Sequence, residues 1–104
     1  MSVLKQGDAY SIPVCISANG EALDIADVET AEFYLGKTRK LYPEDVTYDQ
    51  DNNCFYYPVT QSETLALNPG VILMDVRVKF RSSDVVGGGK IPITIMDATS
   101  EEVL

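Results

Sequence analysis

Val71-Ile72-Leu73-Met74-Asp75-Val76-Arg77-Val78-Lys79-Phe80-Arg81 decides the fold class. Ile72, Met74, Val76, Val78 and Phe80 recur at every second position, and Val71, Leu73, Asp75, Arg77, Lys79 and Arg81 fill the alternate ones. A period of two belongs to a strand with one buried face, because successive side chains point to opposite sides of an extended backbone. The same period continues outward in both directions. Downstream, Ser82 to Gly89 reads as a loop with three consecutive glycines, and Ile91, Ile93 and Ile95 then form a core face with Pro92, Thr94 and Met96 opposite. Upstream, Asn68-Pro69-Gly70 stops a single helical turn near Ser62 to Leu67, opened by the capping-box sequence Thr60-Gln61-Ser62-Glu63.

Further upstream the alternation returns. Phe55, Tyr57 and Val59 share a face, as do Val46 and Tyr48, then Ala31, Phe33 and Leu35, and first of all Tyr10, Ile12, Val14 and Ile16. Leu23 and Ile25 mark a short extended piece, and Lys37-Thr38-Arg39-Lys40 reads as a loop or a bent continuation. Pro13 lacks an N–H, so its strand is expected at an edge or with the backbone facing outward at that point. Asn19-Gly20 and Asp49-Gln50-Asp51-Asn52-Asn53 are turns. The expectation is an all-β fold, an immunoglobulin-like antiparallel β-sandwich of about seven strands with one short helical turn. Strands and helices do not alternate, so no parallel sheet is expected. Residues 1–104 make one domain, with 97–104 as a flexible tail. An Asp at Val76 or Ile93 is expected to unfold it.

Composition narrows the function. Sixteen acidic against eight basic residues give a formal net charge of -8, a field that repels phosphates. Nucleic acid and anionic membrane surfaces are therefore poor partners. The longest apolar run, Val71 to Met74, is far too short to span a bilayer, and the first five residues lack the pattern of a secretion signal. Histidine is absent, which removes Ser-His and Cys-His nucleophile systems and histidine metal sites. Cys15 and Cys54 fit no zinc or redox spacing; two reduced thiols are expected, with a disulfide as the alternative. Asp49, Asp51 and Asn53 open like a calcium loop, but Cys54 stands where that loop needs Gly and Thr60 where it needs Glu, so a hairpin turn is expected. Gly87-Gly88-Gly89 lacks the Lys-Ser/Thr and the helix of a phosphate loop. No enzyme, cofactor or metal site is expected.

The order of short motifs carries a resemblance. Lys5-Gln6-Gly7-Asp8 leads into a strand, Ala22-Leu23-Asp24-Ile25-Ala26-Asp27-Val28 follows a turn, and Thr60-Gln61-Ser62-Glu63-Thr64 precedes Asn68-Pro69-Gly70 and a long strand. From about Lys5 to Met96 this resembles the N-terminal immunoglobulin-like domain of phage baseplate upper proteins and related short phage tail proteins. The resemblance implies a phage or prophage virion component of the tail or baseplate, made in the host bacterial cytoplasm. Its implied partners are other phage structural subunits, with a homo-oligomer also expected; it implies no catalytic residues.

Seven residues are candidates for docking a partner. Arg77, Lys79 and Arg81 make a basic stripe on one strand face, set against the plainer role of cross-strand pairing with residues such as Glu32. Val85 and Val86 either lie on a mobile loop as partner contacts or extend a strand. Tyr34 and Tyr56 point outward, either onto a partner or as sheet-surface packing. The leading expectation is protein–protein docking in a virion; the alternative is a cell-surface carbohydrate-binding or adhesion module working through its tyrosines.

Overall fold

The structure is a computed structural model that describes residues 2–18, 21–88, 90–100 and 102–104. In chain order its strands are β1 (Ser2–Lys5), β2 (Tyr10–Val14), β3 (Ser17–Ala18), β4 (Glu21–Ala22), β5 (Val28–Leu35), β6 (Thr38–Tyr42), β7 (Thr47–Asp49), β8 (Cys54–Val59), β9 (Gly70–Phe80), β10 (Val85–Gly87) and β11 (Ile91–Met96). A 3-10 turn covers Ile25–Asp27, and α1 covers Gln61–Leu65. The all-β sandwich is present. The larger sheet runs β1-β11-β9-β5-β6, with β10 also on β9; the smaller runs β2-β8-β7; β3 and β4 make a ribbon of their own. The Asn19-Gly20 turn and Gly89 lie outside the described residues.

The core lies between the sheets. Phe33 from β5 meets Phe55 and Tyr57 from β8 at ring-centroid distances of 5.3 and 6.2 Å. Ile12, Val14, Met74, Val78, Ile93 and Ile95 close around them. Such tilted aromatic contacts add to the burial of the rings themselves. The period-two residues of β5, β8, β9 and β11 face inward as expected, whereas Tyr10 is exposed and its hydroxyl donates to the Val3 carbonyl at 2.9 Å.

Several expectations need correction. Lys37 to Lys40 is neither a loop nor a bent continuation: the chain turns back after Gly36, and Thr38–Tyr42 forms β6 in register with β5. Gly36 has a φ of +63°, and an added Cβ there would sit 3.0 Å from Leu67 Cδ2, so the turn needs glycine. The Ser82 to Gly89 loop shrinks to a tight turn, because Val85 to Gly87 pairs with Lys79 to Arg77. Among the described residues the pairing is antiparallel except that β1 lies parallel to β11, with Leu4 level with Ile95 and wholly buried. This joins the first and last strands, so no crossover helix is needed and no βαβ signal announces it.

Cys15 and Cys54 form a disulfide, which overturns the expectation of free thiols. The reason is register. Val14 pairs with Phe55, so the next residues on each strand, Cys15 and Cys54, stand opposite one another with Cα atoms 4.3 Å apart. That spacing belongs to a non-hydrogen-bonded antiparallel pair, where side chains come closest.

The resembling motifs meet in space. Thr60 and Glu63 form the capping box of α1, and the buried Thr64 hydroxyl donates to the Asp8 carbonyl at 2.8 Å while accepting from Gly7 N–H at 3.0 Å. Gln6 donates to the Leu67 carbonyl at 2.8 Å. The Lys5–Asp8 turn thus docks on the helical turn and seals one end of the sandwich.

Lys40 ties that end to β6. Its ammonium donates to Glu63 Oε1 at 3.0 Å and to the Pro58 carbonyl, and lies over the Tyr57 ring. Burial pushes the Glu63 carboxyl up, but the Thr60 N–H and Lys40 outweigh it, so its pKa falls below the ordinary value. A carboxylate with a depressed folded pKa stabilises the fold above its unfolded pKa, and that contribution is lost as pH falls through the folded value. Glu63→Gln should therefore melt below the wild type at about pH 7, and the gap should close near about pH 3. Thermal scans at the two pH values check this; a gap unchanged at low pH would count against the tie.

Candidate docking surfaces

Three surfaces stand out. The first is the outer face of the larger sheet. Alternation on β9 turns Val71, Leu73, Asp75, Arg77 and Lys79 outward, since Ile72, Met74, Val76, Val78 and Phe80 point in. Register then sets their neighbours: Thr94 on β11 lies beside Val71 and Val3, Pro92 beside Leu73, and Met96 beside Lys5. Val3, Val71, Leu73 and Met96 are each at least half exposed, with Val71 at 62%. Side chains directly opposite on neighbouring strands touch. The four therefore make one apolar patch around Thr94 and Pro92, with Tyr34, opposite Asp75, at its border.

The other half of that face is charged. Arg77 stands opposite Glu32, but Glu32 is bonded to Arg39 at 2.6 Å, so the expected Arg77–Glu32 pairing is not made. Among the described residues Arg77 has no ion-pair partner. Lys79 pairs with Glu29 at 3.1 Å, both half exposed, a contact of small energetic weight. Arg81 lies past the end of β9; its Nε donates to the Ala26 carbonyl at 3.0 Å and its N–H to the Asp27 carbonyl at 2.9 Å. It fastens the 3-10 turn to the sheet and is not part of the stripe. Val85 joins this face beside Lys79.

The second surface is a groove of about 680 Å³ at the open seam between the sheets. Val76, Val78 and Phe80 form one wall, Cys15, Ile16 and Leu23 the other, and Val86 and Gly88 the lip. Val85 and Val86 thus belong to a strand rather than a mobile loop, and both are exposed.

The third is a shallow trough of about 660 Å³ beside the smaller sheet, lined by Tyr48, Asp49, Gln50, Asp51 and Tyr56 together with Tyr42 from the end of β6. Asp49 is held internally. It accepts from Asp51 N–H at 2.9 Å, Asn52 Nδ2 at 2.7 Å and Tyr56 OH at 3.3 Å. The Asn52 bond leads in lowering its pKa below the ordinary value. This is a turn stabilised by its own carboxylate, as the sequence reading had it. Burial, then Asp24, pushes the Tyr48 phenol up, so it stays neutral.

The structure places Tyr34, Arg77, Lys79 and Val85 on one face, Val86 in the seam, Arg81 at a turn and Tyr56 on the opposite sheet. Tyr34 and Tyr56 therefore cannot share a site. The residues that sequence reasoning passed over are Val3, Val71, Leu73 and Met96. Their signal was the run Val71 to Met74, which is apolar on both faces of its strand and so leaves two apolar side chains outside any core. No protein-family model, curated protein or solved structure matches the chain.

Proposed function

We propose that this chain is a non-enzymatic structural protein of a phage or prophage, a tail or baseplate component that docks onto neighbouring subunits through the outer face of its larger sheet. The observation that carries the docking is the contiguous apolar patch of Val3, Val71, Leu73 and Met96, exposed on a face that no part of the described chain covers. Contiguous exposed apolar area is costly in water and marks interaction surfaces. The charged half beside it, where Arg77 has no ion-pair partner among the described residues, supplies register and orientation. The non-enzymatic part rests on composition: the chain has no histidine, and its cysteines are bonded to each other. The virion assignment rests on the motif resemblance, and the same docking would hold the chain in the particle.

The test is mass spectrometry of purified particles after prophage induction. Wild-type chain is expected at a level stoichiometric with other tail subunits. A Val71→Glu/Leu73→Glu variant should fold, because both positions face solvent, yet fall at least about tenfold in particles, the loss of about 1.4 kcal/mol or more of docking energy. Equal incorporation of the variant would remove the patch from the proposal. Absence of the wild type from particles would remove the virion role. Recovery in the cell-wall fraction, lost in Tyr56→Ala, would instead support carbohydrate binding at the three-tyrosine trough.

A further inference from the structure

The edges of the two sheets are not equally protected. β2 carries Pro13, β6 carries Arg39 and Lys40, β1 ends in Lys5, and β7 ends in Asp49. Prolines and charges are what keep edge strands from pairing with other chains. The edge formed by Val85-Val86-Gly87-Gly88 has no charge and no proline, and its two valines are more than half exposed.

Its backbone is free on one side. Phe80 N–H donates to the Asp84 carbonyl and Gly88 N–H to the Val76 carbonyl, both at 2.8 Å, so residues 84, 86 and 88 turn their polar groups toward β9. Alternation points the N–H and C=O of Val85 and Gly87 away from it. Among the described residues β10 pairs with β9 alone.

From this edge we infer that the chain forms a twofold-symmetric dimer in which β10 pairs antiparallel with β10 of a second copy, about an axis at Val86. The edge is self-complementary. A twofold at Val86 sets Val85 opposite Gly87 of the other copy and Gly87 opposite its Val85, so the outward groups of both exchange hydrogen bonds. The two Val86 side chains then meet at the mouths of the seam grooves, where Phe80, Ile91 and Leu23 offer apolar surface. Asp84 and Lys90 stand at opposite ends of the edge, so the antiparallel arrangement brings Asp84 of each copy toward Lys90 of the other. The two larger sheets become one, with their apolar outer faces side by side. The contact does not rest on the phage reading and holds if that reading fails.

Sedimentation of the purified chain at about 100 μM, a concentration suited to a weak contact, should give twice the chain mass. Val85→Pro should be monomeric with an unchanged melting temperature, since it removes only an outward N–H. In a second measurement, Val86→Cys should crosslink to its own copy under mild oxidation, because a non-hydrogen-bonded pair has Cα atoms within disulfide reach. Val85→Cys, which faces Gly87 of the partner, should crosslink several-fold more slowly. Cys15 lines the same groove as Val86, so peptide mapping of the crosslinked species should show a bond between the two position-86 cysteines beside an intact Cys15–Cys54 pair. A monomeric wild type, or a dimer that survives Val85→Pro without preferential crosslinking at position 86, overturns the inference.

Discussion

Reducing the Cys15–Cys54 disulfide should lower the melting temperature by roughly 15–30 °C. The bond closes a chain segment with a sequence separation of 39, and in the chain-entropy account a loop of that size restricts the unfolded ensemble by about 4 kcal/mol. Domains of this length are stable by only about 5–15 kcal/mol, so the loss is a large fraction of the whole. It also removes the covalent lock on the register of β2 against β8, the pair that carries Ile12, Val14, Phe55 and Tyr57 into the core. Calorimetry with and without reductant measures the effect, and the double variant Cys15→Ser/Cys54→Ser should reproduce it. A shift of less than about 4 °C, equivalent to under 1 kcal/mol, would mean that the unfolded chain already holds the two strands together.

Where one face of a strand is buried and the other wet, the sequence announced the structure. β9 and β11 alternate without a break, as does β5 beyond its bulge at Val28 to Thr30, and Ala31, Phe33, Val76, Val78, Ile93 and Ile95 are all buried. The capping box at Thr60 is as legible, because its chemistry is local. What escaped depends on distant partners. Among the described side chains of β1 only Leu4 is a core residue, and nothing in Met1 to Lys5 points to a parallel partner some ninety residues away. β6 reads Thr38-Arg39-Lys40-Leu41-Tyr42, a polar edge whose strand character comes from its pairing with β5.

The disulfide escaped for a related reason. Alternation puts both cysteines off the core face of their strands, yet Cys54 is buried and Cys15 lines the seam, and only the pairing of Val14 with Phe55 makes them neighbours. The docking surfaces follow the same rule. The charges at Arg77 and Lys79 are visible in sequence, whereas the apolar patch is assembled from three strands and exists only once β1, β11 and β9 lie side by side.

Ile93→Asp should abolish cooperative unfolding, while Met96→Asp on the same strand should leave the fold intact. Ile93 is wholly buried, level with Ile72 on β9 and Ser2 on β1. The substitution forfeits roughly 1.5–3 kcal/mol of apolar burial and strands a carboxylate where it has no partner, at a further cost of several kcal/mol. Together with the same 5–15 kcal/mol margin, that removes the native state. Val76 is a weaker site for this test because it lines the seam groove, where water can reach a new carboxylate. Met96 lies three residues on, outward and half exposed, so its replacement should change stability by no more than about 0.5 kcal/mol. Far-UV circular dichroism and thermal melts of the two variants separate the cases. A cooperative melt of Ile93→Asp together with collapse of Met96→Asp would reverse the facing of β11. The apolar patch of Val3, Val71, Leu73 and Met96 would then be core, and the docking face would have to lie on the side that carries Ile93.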